Sequence, residues 1–202
     1  MSLEFILDFE TLGQSVFTAP IVNCAYYLFD RSRFTSDNPY TFNELVKEIK
    51  ISKFNIKDQL DRGYKYFKRD YQWWEDKGPE VVKQLLPTNN DLTTDQFIDI
   101  LNQYIPKKID YWWSRSNSFD PVLLQRIFDD EGVDLNNTLP FWKVRDIRTY
   151  LDTRFEFKLK RNTFCPIEDE ELWKKHFIAH NPRHDVAADI LRMQRVERAL
   201  HE

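Results

Sequence analysis

Residues 3–8 form an apolar run closed by an acid, and residues 19–29 form a second, with turn-forming residues at 13–18 between them. Two such runs joined by a short turn predict a buried antiparallel hairpin. Residues 44–56 mix β-branched and charged side chains, which suits a third, edge-like strand followed by a polar segment at 57–62. Short helices are expected at 70–76 and 79–86 around Gly78, and a longer one at 94–105, where Phe97, Ile98, Ile100, Leu101 and Ile105 make a helical stripe. A strand at 109–113, a helix at 121–130 and a last strand at 141–147 leading into 148–153 continue the alternation. Residues 154–161 place Phe155, Phe157 and Leu159 against mostly basic neighbours, a strand with one apolar and one charged face that serves as an edge hairpin or as the wall of a groove.

The closing helix is the best defined. Asn181 is a good N-cap and Pro182 suits the first helical position, where its missing N–H costs nothing. Val186, Ile190, Met193, Val196 and Leu200 follow as its buried stripe. A hairpin start, later strands joined through helices and a closing helix predict an α/β or α+β architecture with a mixed sheet.

Length and composition narrow the class. The chain has 202 residues, 42% hydrophobic and 31% charged, which fits one globular domain with a sizeable core. It contains no apolar stretch long enough for a membrane span and no basic, then apolar, leader, so neither insertion nor export is expected. Cys24 and Cys165 offer neither a disulfide framework nor paired zinc-ligand spacing, and a reducing, cytoplasmic compartment fits best. A net charge of -4 argues against a protein that grips nucleic acid by bulk electrostatics alone. It leaves open an enzyme whose acidic site is neutralised by metal.

The chemistry begins at Asp8 and Glu10, two residues apart on the first strand, so both side chains leave one face. Like charges there repel, and a divalent cation with a preference for oxygen ligands relieves them. Two solvated acids at a strand end are the plainer explanation. Asp120 stands at a helix start, where an acid ordinarily caps, and His180 precedes the last helix, whose first turn carries Asp185. Each alone has an ordinary structural role; as an ordered set they are much harder to dismiss.

Asp8-x-Glu10, Asp120 and His180-x4-Asp185 resemble the three motifs of the DEDDh group of 3'-5' exonucleases, of the ribonuclease H-like fold. The tyrosine branch of that superfamily carries its Tyr where this chain has Asn181, so His180 fits the histidine branch. Residues 53–59, Trp73-Trp74 with Pro79-Glu80, Trp142 with 145–149, and Cys165-Pro166 resemble a phage exodeoxyribonuclease branch of the group, covering almost the whole chain. Ser116 and Asn117 depart from that branch's second motif, which bears on substrate fit.

The resemblance implies a ribonuclease H-like fold over 1–202, a mixed central sheet flanked by helices, as one exonuclease domain. It implies two Mg²⁺ ions, with Mn²⁺ able to substitute, Asp8 bridging them, Glu10 and Asp185 completing one ion and Asp120 holding the other. Two such ions about 3.5–4 Å apart suit phosphodiester hydrolysis. His180 becomes the general base, preferred over His184. Thr11 and Leu12 resemble positions that contact the terminal nucleotide, and Phe119 can stack on a sugar or base; core packing competes for Leu12 and Phe119. Trp73 and Trp74 are a stacking platform or core, and Arg145 and Arg148 contact phosphate or pair with Asp146. The implied partner is nucleic acid with a free 3' end, single-stranded DNA first, RNA second. A non-catalytic binding scaffold is the third alternative, and oligomeric state stays open.

Overall fold

The computed structural model describes residues 2–154 and 176–201. Its centre is a five-stranded sheet in the order β3-β2-β1-β4-β5. β1 (Leu3–Thr11) pairs antiparallel with β2 (Ile21–Asp30), and β2 pairs antiparallel with β3 (Lys50–Lys53). On the other side, β4 (Trp112–Ser114) runs parallel to β1, and β5 (Val144–Asp146) parallel to β4. The sheet is mixed, as the hairpin start followed by helix-linked strands predicts.

β1 is central, so both of its faces are covered. Phe5, Leu7 and Phe9 point to one side and join Trp112. There α5 (Thr94–Tyr104) contributes Phe97, Ile98 and Leu101, and α6 (Asp120–Asp130) contributes Leu123, Leu124, Ile127 and Phe128. Each such side chain, fully buried, adds about 1.5–3 kcal/mol of hydrophobic stabilisation. Ile6 points the other way with Ala25, Phe29 and Trp113, and meets α8 (Pro182–His201) through Val186, Ile190 and Met193. Asp8 and Glu10 continue the Ile6 side by the period of two.

The sequence pattern misplaces four features. Residues 44–56 are not one strand: α1 (Phe42–Glu48) occupies the first part and only Lys50–Lys53 pairs. A capping box decides it, with Thr41 Oγ1 accepting from the Glu44 N–H and the Glu44 carboxylate accepting from the Thr41 N–H. Phe42, Leu45 and Ile49 then fall on one helical face and are buried. Residues 57–62 are largely α2 (Ile56–Asp61), capped by Asn55, whose Oδ1 accepts from the Asp58 N–H at 3.0 Å. Residues 141–147 contain a 3₁₀ turn, a three-residue strand and the start of α7 (Ile147–Arg154).

The fourth concerns α8. Asn181 caps it, its Oδ1 accepting from the Arg183 N–H at 3.2 Å. Val186, Ile190, Met193 and Val196 are buried, but Leu200, in the last turn, is 54% exposed. Instead the helix buries polar residues that a hydrophobic stripe cannot reveal. Gln194 exchanges two hydrogen bonds with the Tyr40 backbone, accepting from its N–H at 2.8 Å and donating to its C=O at 3.1 Å. Gln59 does the same for Ile21, at 2.7 and 2.8 Å. Buried amides are tolerated because both of their groups are satisfied. The expected strand at 154–161 lies outside the described residues apart from Arg154, which ends α7. Among the described residues no helix is long and apolar enough to cross a membrane.

Candidate active site

The sheet ends in a convergence. α3 (Lys68–Asp76) and α4 (Pro79–Val82) form a short arm that reaches the end of β1. Trp74, buried, donates its indole N–H to the Thr11 C=O at 3.2 Å and fixes that arm one residue beyond Glu10. The β1–β2 register slips between Glu10 and Thr11, and an irregularity there re-aims the side chains next to it. α8 approaches the Asp8/Glu10 face with Asp185 in its first turn. From the opposite face α6 brings Asp120, whose Oδ1 accepts from the Phe9 N–H at 3.0 Å.

Asp8, Glu10 and Asp185 each offer a carboxylate oxygen, and the three oxygens lie within 4.8 Å of one another. Asp120 shares a recess of about 330 Å³ with Asp8, Arg115 and Arg148. On the other side lies a cleft of about 650 Å³, walled by Glu10, Thr11, Trp73 and His180, a volume that suits a nucleotide-sized ligand. Phe119 lines both. His180 Nδ1 stands 3.7 Å from Glu10 Oε1. The structure therefore brings together all four acids and the histidine expected from the sequence, with Thr11 and Phe119 on the wall. Leu12 goes elsewhere, buried against Val22, Trp74 and Val81.

Burial dominates the electrostatics. It pushes the Asp8 carboxyl well above the usual carboxylate range, and the neighbouring charges of Asp120, Glu10, Asp185 and Asp189 push the same way. Burial also raises Glu10, with His180 pulling it down. Asp120 is pushed up to about 7 by burial, against the Phe9 N–H that favours its charged form. Asp185 is likewise pushed up to about 7, by burial and then by Glu10 and Asp189, and His180 and Arg115 only partly offset this. Asp8, Glu10 and Asp185, a crowded set of hard oxygen donors whose shared negative charge is disfavoured without a cation, could hold a divalent metal ion.

The sign of these shifts makes a prediction for the metal-free protein. A carboxyl whose folded pKa is about 7, against roughly 3.9 unfolded, stabilises the fold fully at low pH and loses that contribution as pH rises through 7. His184, held below its ordinary value by burial, acts oppositely, but its effect is complete by about pH 6.5. In EDTA the Tm should therefore fall as the pH is raised from about 6 to 8, most steeply below 7 and levelling off above it, and Mg²⁺ should raise Tm more at pH 8 than at pH 6. Calorimetry over that range checks it; a flat EDTA profile counts against the clustered acids.

Three neighbours escaped the sequence reading. Asp189, 4% exposed, pairs with Arg192 at 2.8 Å and with Arg115; its place four residues after Asp185 on α8 was the available signal. Gln84 donates to the His180 C=O at 2.9 Å, and nothing in its local sequence marks it. Gly13, at φ 143°, lines the cleft, and a Cβ there would meet Ala19 Cβ at 3.1 Å and Asp70 Oδ2 at 3.2 Å. The tryptophan pair divides its roles, Trp74 as core and Trp73 37% exposed in the cleft wall. His184 turns inward: its Nδ1 accepts from the Ile178 N–H at 3.0 Å and its ring packs edge-on against Phe42. Arg145 lies over the Tyr111 ring, and Asp146 accepts from the Asn117 and Thr149 N–H groups.

Known proteins resemble this chain at several distances. An exonuclease I from E. coli, solved in complex with a dT13 oligonucleotide, superposes with a TM-score of 0.62 at 18% identity, over 98% of this chain and 41% of its own. S. pombe Pop2p in its Mg²⁺- and Mn²⁺-bound form gives 0.55 at 15% identity, over 98% of this chain and 82% of its own. These likenesses establish the ribonuclease H-like nuclease fold. The exodeoxyribonuclease of Enterobacteria phage T4 is 35% identical over 209 aligned residues, covering 95% of this chain and 87% of the phage protein. The profile of the 3'-5' exoribonuclease Rv2179c-like domain matches residues 4–185. With a match of that extent, this chain belongs to the Rv2179c-like family of 3'-5' exonuclease domains.

Proposed function

We propose that this protein is a DEDDh-type 3'-5' exonuclease that removes nucleotides from single-stranded DNA with two bound divalent ions and His180 as general base. The observation that carries the reading is the meeting of Asp8, Glu10 and Asp185 within 4.8 Å, beside His180 and the Asp120 recess. Asp8, Glu10 and Asp185 would hold one ion, and Asp8 with Asp120 the second, Mg²⁺ in the native enzyme and Mn²⁺ as substitute. When bound, the ions supply Lewis-acid stabilisation of charge developing on the phosphate oxygens and ease deprotonation of water.

The remaining tasks fall to the chain. His180, beside Glu10 at the mouth of the cleft, accepts the proton of the attacking water, which an imidazole does well near neutral pH. Phe119, between cleft and recess, stacks on the terminal sugar or base. Thr11 shapes the floor: its hydroxyl donates to the Gly13 C=O at 2.6 Å and its backbone carries the Trp74 anchor. Arg115 and Arg148, lining the Asp8 recess, suit the scissile phosphate.

DNA is preferred because the T4 relative, at 35% identity over nearly the full chain, is an exodeoxyribonuclease. RNA is the second reading, favoured by the exoribonuclease description of the matching family. Single-stranded DNA and RNA of one sequence, labelled at the 3' or the 5' end and incubated with Mg²⁺, separate them. Expected are immediate release of the 3' label as mononucleotide, a ladder from the 5' label, faster decay of DNA and full inhibition by EDTA. Internal cleavage, or activity that survives EDTA, would exclude the reading; faster decay of RNA would select the second.

A further inference from the structure

His180 is the sole non-glycine residue in the left-handed backbone region among the described residues, at φ 63°. That conformation costs an L-residue roughly 1–2 kcal/mol and persists when surrounding contacts determine it. Two contacts do so here. The Gln84 amide donates to the His180 C=O at 2.9 Å, and the same amide's oxygen accepts from Asn23 Nδ2 at 2.7 Å. Asn23 is the β2 residue opposite Glu10. One rung of the sheet thus places Glu10 directly and His180 through Gln84. The second contact is Trp73, whose ring meets the imidazole nearly edge to face, 4.7 Å between centroids at 73°. Its neighbour Trp74 is the residue that pins α3 to Thr11.

We propose that Gln84 and Trp73 are positioning residues, a two-point clamp that sets the His180 backbone and ring relative to Glu10. The α3–α4 arm, with the 3₁₀ turn Lys83–Leu85 that follows it and carries Gln84, is thereby part of the catalytic apparatus without touching the scissile bond. The inference deepens the reading of His180 as general base and rests on it. Proton transfer requires near-contact geometry, and a displacement of about 1 Å costs up to a hundredfold in rate.

The test is a double-mutant cycle with steady-state kinetics on 3'-labelled single-stranded DNA and Mg²⁺. Gln84→Leu, and Gln84→Glu, which keeps the acceptor for Asn23 but loses the donor for His180, should each lower kcat about tenfold with KM changed less than about twofold. In a His180→Asn background the Gln84 substitutions should add less than about twofold, because the group they position is gone. Trp73→Phe should keep most of kcat and Trp73→Ala should not. With four histidines in the chain, ring NMR reads the clamp without turnover. The His180 ring signals should be displaced by Trp73 relative to exposed His201, and should lose that displacement in Trp73→Ala and in both Gln84 variants. Multiplicative losses in the cycle, an effect on KM alone, or unchanged ring signals would overturn the clamp. Should His180→Asn itself retain full activity, the general-base reading fails, and the ring signals still decide whether the clamp exists.

Discussion

Asp8→Asn is expected to lower kcat by about a thousandfold or more while leaving the fold intact. Asp8 is the acid common to both halves of the site, grouped with Glu10 and Asp185 on one side and sharing the Asp120 recess on the other. Asparagine keeps its volume but replaces a charged ligand oxygen with an N–H donor that repels a cation. The same change has an opposite effect on the metal-free fold. Burial and four neighbouring acids disfavour the charged form of Asp8, so a neutral amide relieves strain. In EDTA the variant should melt at or above the wild-type Tm above pH 7, and its response to Mg²⁺ should shrink. Paired melting curves and the end-label assay read both effects; activity within tenfold of wild type removes Asp8 from the centre.

His180→Asn should cost about 10²–10⁴ in kcat, the usual contribution of a positioned general base. Asparagine is the informative replacement because it enters the left-handed region readily, so the backbone at φ 63° is retained and only the imidazole is lost. The two variants should differ in their dependence on the ion. His180→Asn keeps Asp8, Glu10 and Asp185, so Mg²⁺ should still raise its Tm as in wild type, whereas Asp8→Asn loses both activity and that response. Wild-type turnover in His180→Asn would mean that the attacking water loses its proton elsewhere.

The parts of the molecule readable from sequence are those in which one local signal suffices. The apolar run of β1, the apolar stripe of α5 and the Asn181-Pro182 start of α8 announce themselves within a few residues, and the structure has all three. The four acids and His180 were legible only as an ordered set that resembles a known family's motifs, since each alone fits an ordinary structural role. Asp189, Gln84 and Asn23 were not, since each acquires its role only by pairing across the fold, with Arg115, His180 and Gln84 respectively. The β-branched and charged mixture at 44–56 reads as one strand, whereas the capping box at Thr41 and Glu44 starts a helix that takes its first part.

The acids of this centre come from β1, from the first turn of α6 and from the first turn of α8, so more than 170 residues separate the earliest from the last. On the ribosome the chain emerges in that order. A polypeptide still lacking Asp185 holds an incomplete set of carboxylates, so the cluster closes only once α8 has been made and has packed against the sheet.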